Sequence, residues 1–405
     1  MIKLDKSIIK GSIVLLIAFG IFNFFHFLFQ FFMARMLSVS EYGVLAALFA
    51  ITYIMQVLSE TVQTIITKYS SNESSKGKLK NIFKKTISKA TKISFLIFIS
   101  FLIISIPLSY ILKINYLLLS LTGLVVFTSF FIPIGRGLMQ GTKKFTSLGL
   151  NMIIEASGKL IIGVFFVYIG WQAYGAIIGV LLGGLLSFLF TFIQLNPIMK
   201  AEEEKAATAN IYNYAKPTLI ITAIIIVFYS LDVLIAKIVF PPETAGVYAI
   251  ASILGKIIFW GTLPVSKAMF PISAEDSQIP GKKDKSNSIF TNAFLLVLGG
   301  VILSLILFYF IPGIIIKIFS GKIMPEAEHI LFFVGIAFGI TAVTNLSLLH
   351  KLSIGKFKNY QFLPIFLIIE FLLLVYFSSN IFEFSIAFIT SSAIFLWGSN
   401  VLIKE

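Results

Sequence analysis

Residues 34–49 read ARMLSVSEYGVLAALF, and residues 236–252 read AKIVFPPETAGVYAIAS. Each stretch lies between two long apolar runs, and the two are near copies. Ala34 aligns with Ala236, Arg35 with Lys237 and Glu41 with Glu243, all 202 residues apart. After one inserted residue, Gly43 aligns with Gly246, Val44 with Val247 and Ala46 with Ala249, at a spacing of 203. A second echo agrees: QGTKKFTSLGLNMIIE ends at Glu155, and IGKFKNYQFLPIFLIIE ends at Glu370. Both place a basic, glycine-containing turn ahead of a helix that runs into Ile-Ile-Glu.

The chain has 405 residues, 58% of them apolar and only 12% charged. Soluble domains carry roughly 25% charged residues. Apolar runs recur along the chain at the length of about 20 residues that a helix needs to cross hydrocarbon. Twelve spans are expected, over 12–33, 43–67, 90–111, 115–138, 146–169, 174–195, 216–238, 246–271, 289–311, 326–349, 361–378 and 382–402. The first copy of the quoted stretch joins spans one and two; the second joins spans seven and eight. Six spans is an even number, so the two halves face the same way, and their pseudo-twofold axis runs along the membrane normal. The expected fold is all-α and integral to the membrane. It has two parallel six-helix lobes, 1–207 and 208–405, joined by the polar stretch NPIMKAEEEKAATANIYNY at 196–214.

The formal charge is +14, and it follows topology. With the N-terminus in the cytoplasm, 25 of the 32 Lys and Arg residues fall on inner segments and five on outer ones. Lys159 and Lys256 remain inside spans. Such a positive-inside bias sets orientation, so both termini are expected in the cytoplasm and the chain in the cell membrane. No nucleic-acid partner is expected. There is no cysteine, which excludes disulfides and thiol chemistry. His26, His329 and His350 lack metal-ligand spacing, so neither metal nor cofactor is expected. No phosphate-binding Gly-x-x-x-x-Gly-Lys-Ser/Thr loop is present, so the chain does not hydrolyse ATP itself. The run at 12–33 is too long for a signal peptide and lacks a small-residue cleavage pattern. In the longest inner loop, Leu79, Ile82, Phe83, Ile87 and Ala90 recur at helical spacing among lysines. They read either as an extension of span three or as an interfacial helix on anionic headgroups.

The turn residues resemble one transporter class. Ala34, Arg35, Leu37, Glu41, Tyr42 and Gly43 at the first outer turn are similar to the polysaccharide flippase branch of the multidrug/oligosaccharidyl-lipid/polysaccharide exporter superfamily. So are Arg136, Gly137, Gln140, Gly141 and Phe145, and so are Asp232 and the later Gly246-Val-Tyr-Ala. The loop SSNESSKGKLKN lacks the Gly-Asp-Arg-Gly-Arg-like turn of the major facilitator class. The resemblance implies a flippase, not an enzyme. It would carry a polyprenyl-(pyro)phosphate-linked oligosaccharide from the cytoplasmic to the outer leaflet, through a cleft between the lobes. Implied neighbours are anionic inner-leaflet lipids and a glycan polymerase or ligase, around a monomeric flippase.

Charges inside spans cost roughly 2.5–3.5 kcal/mol each on insertion scales and need a reason to be there. Lys256 in span eight is the first substrate-path residue, read either as a contact for pyrophosphate or as the partner of Asp232. Lys159 stands four residues after Glu155, a spacing that allows an ion pair along one helix face. Glu60, in the inner half of span two, is a path residue and also an inner-gate residue with Lys267 and Arg136. Arg35, Glu41, Lys237 and Glu243 are outer-gate residues, or else helix-start acids that neutralise a local base. A cation-coupled multidrug exporter of the same superfamily is the alternative reading.

Overall fold

The structure is a computed structural model. It describes residues 6–71, 73–206, 216–277, 283–355 and 358–403; the side chains of 6–13, 60, 216–218, 271, 274–277 and 283–287 lie outside that description. All regular structure among the described residues is helical. The helices gather into two compact units.

The first unit comprises Met1–Leu37 and Met55–Asn213. It holds α1 (Lys6–Met36), the later part of α2 (Val39–Ser71), α3 (Lys76–Leu112), α4 (Tyr116–Ser129), α5 (Ile132–Gly141), α6 (Phe145–Phe166), α7 (Gln172–Gln194) and the single turn α8 (Asn196–Met199). The second comprises Ser38–Ile54 and Tyr214–Glu405. It holds the start of α2, then α9 (Lys216–Val239), α10 (Pro242–Ser277), α11 (Lys283–Phe310), α12 (Pro312–Ser320), α13 (Pro325–Ser353), α14 (Ile365–Tyr376) and α15 (Ile381–Leu402).

Among the described residues, ten stretches are long and apolar enough to cross a membrane. The longest, Phe145–Gln194, doubles back on itself. The reversal sits at Gly170, whose φ of 95° suits a residue without Cβ. Past it, α7 returns along α6 with Gly179 against the backbone of Gly163, and Gly183 against that of Lys159. Small residues allow this close approach where lipid supplies no hydrophobic drive between helices. Tyr360–Tyr376 adds a shorter apolar helix. Each of the twelve expected spans therefore falls on one of these helices, and the protein is a multi-pass membrane protein.

The turns follow local chemistry. Ser38 Oγ accepts from the Glu41 amide at 3.2 Å, and Asn115 Oδ1 from the Leu117 amide at 2.8 Å. Asn380 accepts from the Glu383 amide at 2.9 Å while its own amide donates to the Glu383 carboxylate at 3.0 Å. These satisfy donors that a helix start leaves open. Proline opens α10, α12 and α13, where its missing N–H costs nothing. Long apolar side chains such as Leu96, Ile103, Leu296 and Leu303 point outward, while Ser94, Ser105, Thr122 and Thr341 are buried. That is the polarity of a protein whose outer solvent is hydrocarbon. Tyr110, Tyr116, Tyr168, Trp171, Tyr309 and Tyr376 are exposed at the α3–α4, α6–α7, α11–α12 and α14–α15 turns, as rings at a membrane interface are.

The lysine-rich loop is not a separate interfacial helix. It is the first four turns of α3, and its apolar residues Leu79, Phe83 and Ala90 pack into the core of unit one with Ile66, Leu138 and Ile198. Its polar face carries the linker instead. Lys80 Nζ donates to the Ala201 carbonyl at 2.7 Å. Asn81 Nδ2 and Lys84 Nζ donate to the two oxygens of Glu203 at 2.7 and 2.6 Å. The Ala206 amide returns a bond to Asn81 Oδ1 at 3.2 Å. The Lys84 and Asn81 hydrogen bonds, in that order, hold the Glu203 carboxyl below its ordinary value of 4.5. A carboxylate held low by partners in the folded state stabilises that state above its unfolded pKa and loses the effect as pH falls through the depressed value. The carboxylate's share in holding this stretch is therefore present at neutral pH and is lost only on acidification below 4.5. Protease cleavage at 201–206 of the purified protein in detergent should stay flat from neutral pH down to that range. Glu203→Gln should give faster cleavage with no acid transition. An acid transition kept in Glu203→Gln would refute this role of the carboxylate.

Candidate functional site

The second unit buries a charged cluster. Asp232 projects from α9 and is fully buried. Its Oδ1 accepts from Lys256 Nζ at 3.2 Å, and its Oδ2 accepts from the Ser252 hydroxyl and from Tyr248 OH, the latter at 3.4 Å. Tyr248, Ser252 and Lys256 recur every four residues, so α10 presents all three on one face. The Lys256 ammonium also lies 5.5 Å from the centroid of the Phe338 ring on α13, a cation–π distance. Glu370 from α14 is fully buried within electrostatic reach of both charges. Neither of its oxygens has a hydrogen-bond partner among the described residues.

The first unit carries a cluster of its own. Arg136 on α5 donates from Nε to Asn151 Oδ1 at 2.9 Å and from its terminal nitrogen to Glu155 Oε2, both on α6. Asn151 Nδ2 donates to the Ser187 carbonyl at 2.8 Å and to Thr191 Oγ1 at 3.1 Å on α7. Ser187 Oγ donates to Asn151 Oδ1 at 2.8 Å. One turn along α6, the Lys159 ammonium lies 3.4 Å from His26 Nδ1 and 4.4 Å from the Phe29 ring centroid on α1. Glu155 forms its ion pair with Arg136, while Lys159, four residues along the same helix, lies within electrostatic reach of that carboxylate. A guanidinium reaching across from α5 can serve Asn151 and Glu155 together, as a fork of donors in fixed geometry.

The other expected residues are scattered. Glu60 belongs to α2, but its side chain lies outside the described residues. Lys267 is exposed on α10. Arg35 lies 4.4 Å from the Phe31 ring centroid, Lys237 is buried, and Glu41 and Glu243 occupy the first turns of α2 and α10. The cap of α2 is Ser38. Glu243 lies near Lys322, whose ammonium partial burial pushes below its ordinary value while Glu243 pulls it back up. Sequence reasoning missed Asn151, Ser187 and Ser252, and gave Tyr248 no part beyond the family resemblance. Asn151 four residues before Glu155, and Ser252 four before Lys256, were the signals that could have found them. No group of three His, Asp or Glu side chains among the described residues is disposed to hold a metal.

Residues 32–279 match the family described as "Polysaccharide biosynthesis protein". The match takes in well over half of the chain, and the chain belongs to that family. An uncharacterized membrane protein of Methanocaldococcus jannaschii is 24% identical over 316 residues, covering 72% of this chain and 74% of its own. Among solved structures, a multidrug resistance MATE family transporter of the MOP superfamily, in an inward-facing conformation, aligns with a TM-score of 0.74. It is 12% identical and covers 98% of both chains. The lipid II flippase MurJ in an inward closed conformation gives 0.68 at 14% identity, covering 96% of this chain and 87% of its own. A MOP superfamily transporter of Pyrococcus furiosus, described as having a binding pocket of reverse polarity, gives 0.57 at 13% identity over 98% and 95%. The chain shares the fold of these MOP superfamily transporters and of the lipid II flippase.

Removing one member of a buried ion pair strands the other, at a typical cost of about 3–5 kcal/mol. Asp232→Ala and Lys256→Met should each melt well below the parent in detergent. The double change Asp232→Leu with Lys256→Met should recover most of the loss. A double variant as unstable as the sum of the singles would mean that the two charges do not stabilise each other.

Proposed function

We propose that this chain is a flippase that moves a polyprenyl-(pyro)phosphate-linked oligosaccharide from the cytoplasmic to the outer leaflet by alternating access. The observation that carries the reading is the family match over 32–279, which spans both copies of the turn motif together with Arg136, Lys159, Asp232 and Lys256. Cations inside spans support an anionic cargo. Lys256 is the residue we assign to the passing pyrophosphate, with Asp232 as the partner from which the cargo displaces it. Arg136 and Lys159 serve the same anion in the first unit, with the two halves, 1–207 and 208–405, acting as the duplicated lobes. Glu60 and Lys267 are read as the inner gate. The lysine bias supports cytoplasmic termini, and the cell membrane is the expected site. The chain acts as a monomer among anionic lipids and hands its product to a glycan polymerase or ligase.

Membrane potential is a sufficient drive. A pyrophosphate carries about two negative charges, and each gains about 2.3 kcal/mol on moving outward across 100 mV, inside negative. The second reading, a cation-coupled multidrug exporter, is favoured by one observation. Glu370 is a buried carboxyl without a hydrogen-bond partner among the described residues, as a cation-exchanging group would be.

One comparison separates them. A strain lacking this chain should accumulate lipid-linked glycan on the inner leaflet. Lys256→Ala, provided that it reaches the membrane in normal amount, should fail to relieve that accumulation and should leave cationic dye efflux unchanged. Altered dye efflux with normal glycan export would make the exporter reading the correct one.

A further inference from the structure

Gly43 and Gly246, the aligned glycines of the two sequence copies, meet each other in the second unit. Each is the fifth residue of its helix, α2 or α10. A Cβ on Gly43 would stand 2.9 Å from Gly246 Cα and 3.0 Å from its nitrogen. A Cβ on Gly246 would run into the Val39 carbonyl. These obstacles are backbone atoms, so no rotamer change relieves them. The surroundings are dry, with Tyr42, Leu45, Tyr248 and Ala249 at most 1% exposed. Glu41 and Glu243 stand in the first turns and offset the positive ends of the two converging helices. Among the described helices, α2 alone is divided between the units, with residues 39–54 in the second and the remainder in the first. The glycine contact is thus where the early part of α2 is fastened to α10.

We propose that this glycine-on-glycine contact is the closure at the outer end of the transport path. It seals when the two backbones meet and parts when cargo leaves. The proposal rests on the flippase reading for what passes and on the lysine bias for which end is outer; the closure is independent of the cargo's chemistry. A methyl group at either position holds the helices apart and leaves the seal ajar. Gly261, farther along α10, has no heavy atom within 4 Å of a built Cβ. It is the control for a general effect of replacing glycine.

The chain has no cysteine, so Ala249→Cys gives a single buried reporter three residues past Gly246. Its labelling by a membrane-impermeant maleimide is followed on whole cells. With native glycines, labelling should be slow when glycan precursor is withheld and faster during export. Adding Gly43→Ala or Gly246→Ala should raise the resting rate by about tenfold, the population change that a shift of about 1.4 kcal/mol in a two-state equilibrium produces. Adding Gly261→Ala should leave it at the parent rate. Resting rates unchanged by both alanine substitutions would overturn the proposal. So would a reporter that stays unreactive while the native-glycine chain exports at full rate, and this second arm decides if the alanine variants fail to reach the membrane. If no glycan is exported at all, the flippase reading fails, yet the resting rates still test the closure.

Discussion

A charge inside a bilayer has to be answered by the helices around it, and the Asp232–Lys256 pair is where this chain meets that demand most fully. The pair is 3.2 Å apart and nearly sealed from solvent. It is supported by Ser252 and Tyr248 from the same face of α10 that supplies the lysine. Desolvating two ions costs several kcal/mol each, and only close pairing with further hydrogen bonds repays it. The geometry of α9 against α10 is consequently fixed by chemistry as well as by packing. In the first unit Arg136 has the same relation to Asn151 and Glu155, tying α5 to α6, and Asn151 in turn ties α6 to α7. Each unit therefore has a polar node that links neighbouring helices, inside a shell of apolar side chains directed at lipid.

The nodes matter because lipid gives helices little reason to associate. Close backbone approach supplies the rest, and glycine makes it available: Gly179 on Gly163 within the α6–α7 return, and Gly43 on Gly246 between α2 and α10. Polar nodes make contacts specific, whereas glycine contacts involve few strong bonds and can part and close again. Tight ionic ties within a unit and lighter contacts at the ends of its helices suit the alternating access proposed for this chain.

The fold was largely legible because a membrane reduces the choices to one element type. Apolar length gave the spans, lysine placement gave the expected orientation, and the repeated Ala-Arg/Lys…Glu…Gly-Val stretch gave the expected duplication. The short helices α8 and α12 were not legible, since neither carries an apolar run long enough to announce itself. The α3 extension was read two ways, because its spacing fits a lipid surface and a protein surface equally well. Only the packing of Leu79 and Phe83 on Ile198 and Leu138 decides between them. Site residues were less legible than spans. Asp232 and Lys256 were conspicuous as charges in an apolar field, and the structure brings them together. Glu155 was assigned to Lys159 by spacing along one helix, but sequence spacing does not reveal that Arg136 on another helix reaches it with a better fork. Asn151 and Ser252 went unseen because one amide or hydroxyl among apolar residues is an ordinary sight in a membrane helix. Glu370, identified from the echo of Ile-Ile-Glu, took on meaning only when burial showed its carboxyl without a partner.

The most direct measurement is translocation by the purified chain in sealed vesicles. A polyprenyl-pyrophosphate oligosaccharide is placed in one leaflet, and its arrival in the other is read with a lectin under an imposed membrane potential. Vesicles with the protein should move the glycan far faster than protein-free vesicles, and faster still when the potential pulls the anion toward the receiving leaflet. Equal rates with and without the protein, in vesicles that do accumulate a cationic dye, would contradict the account.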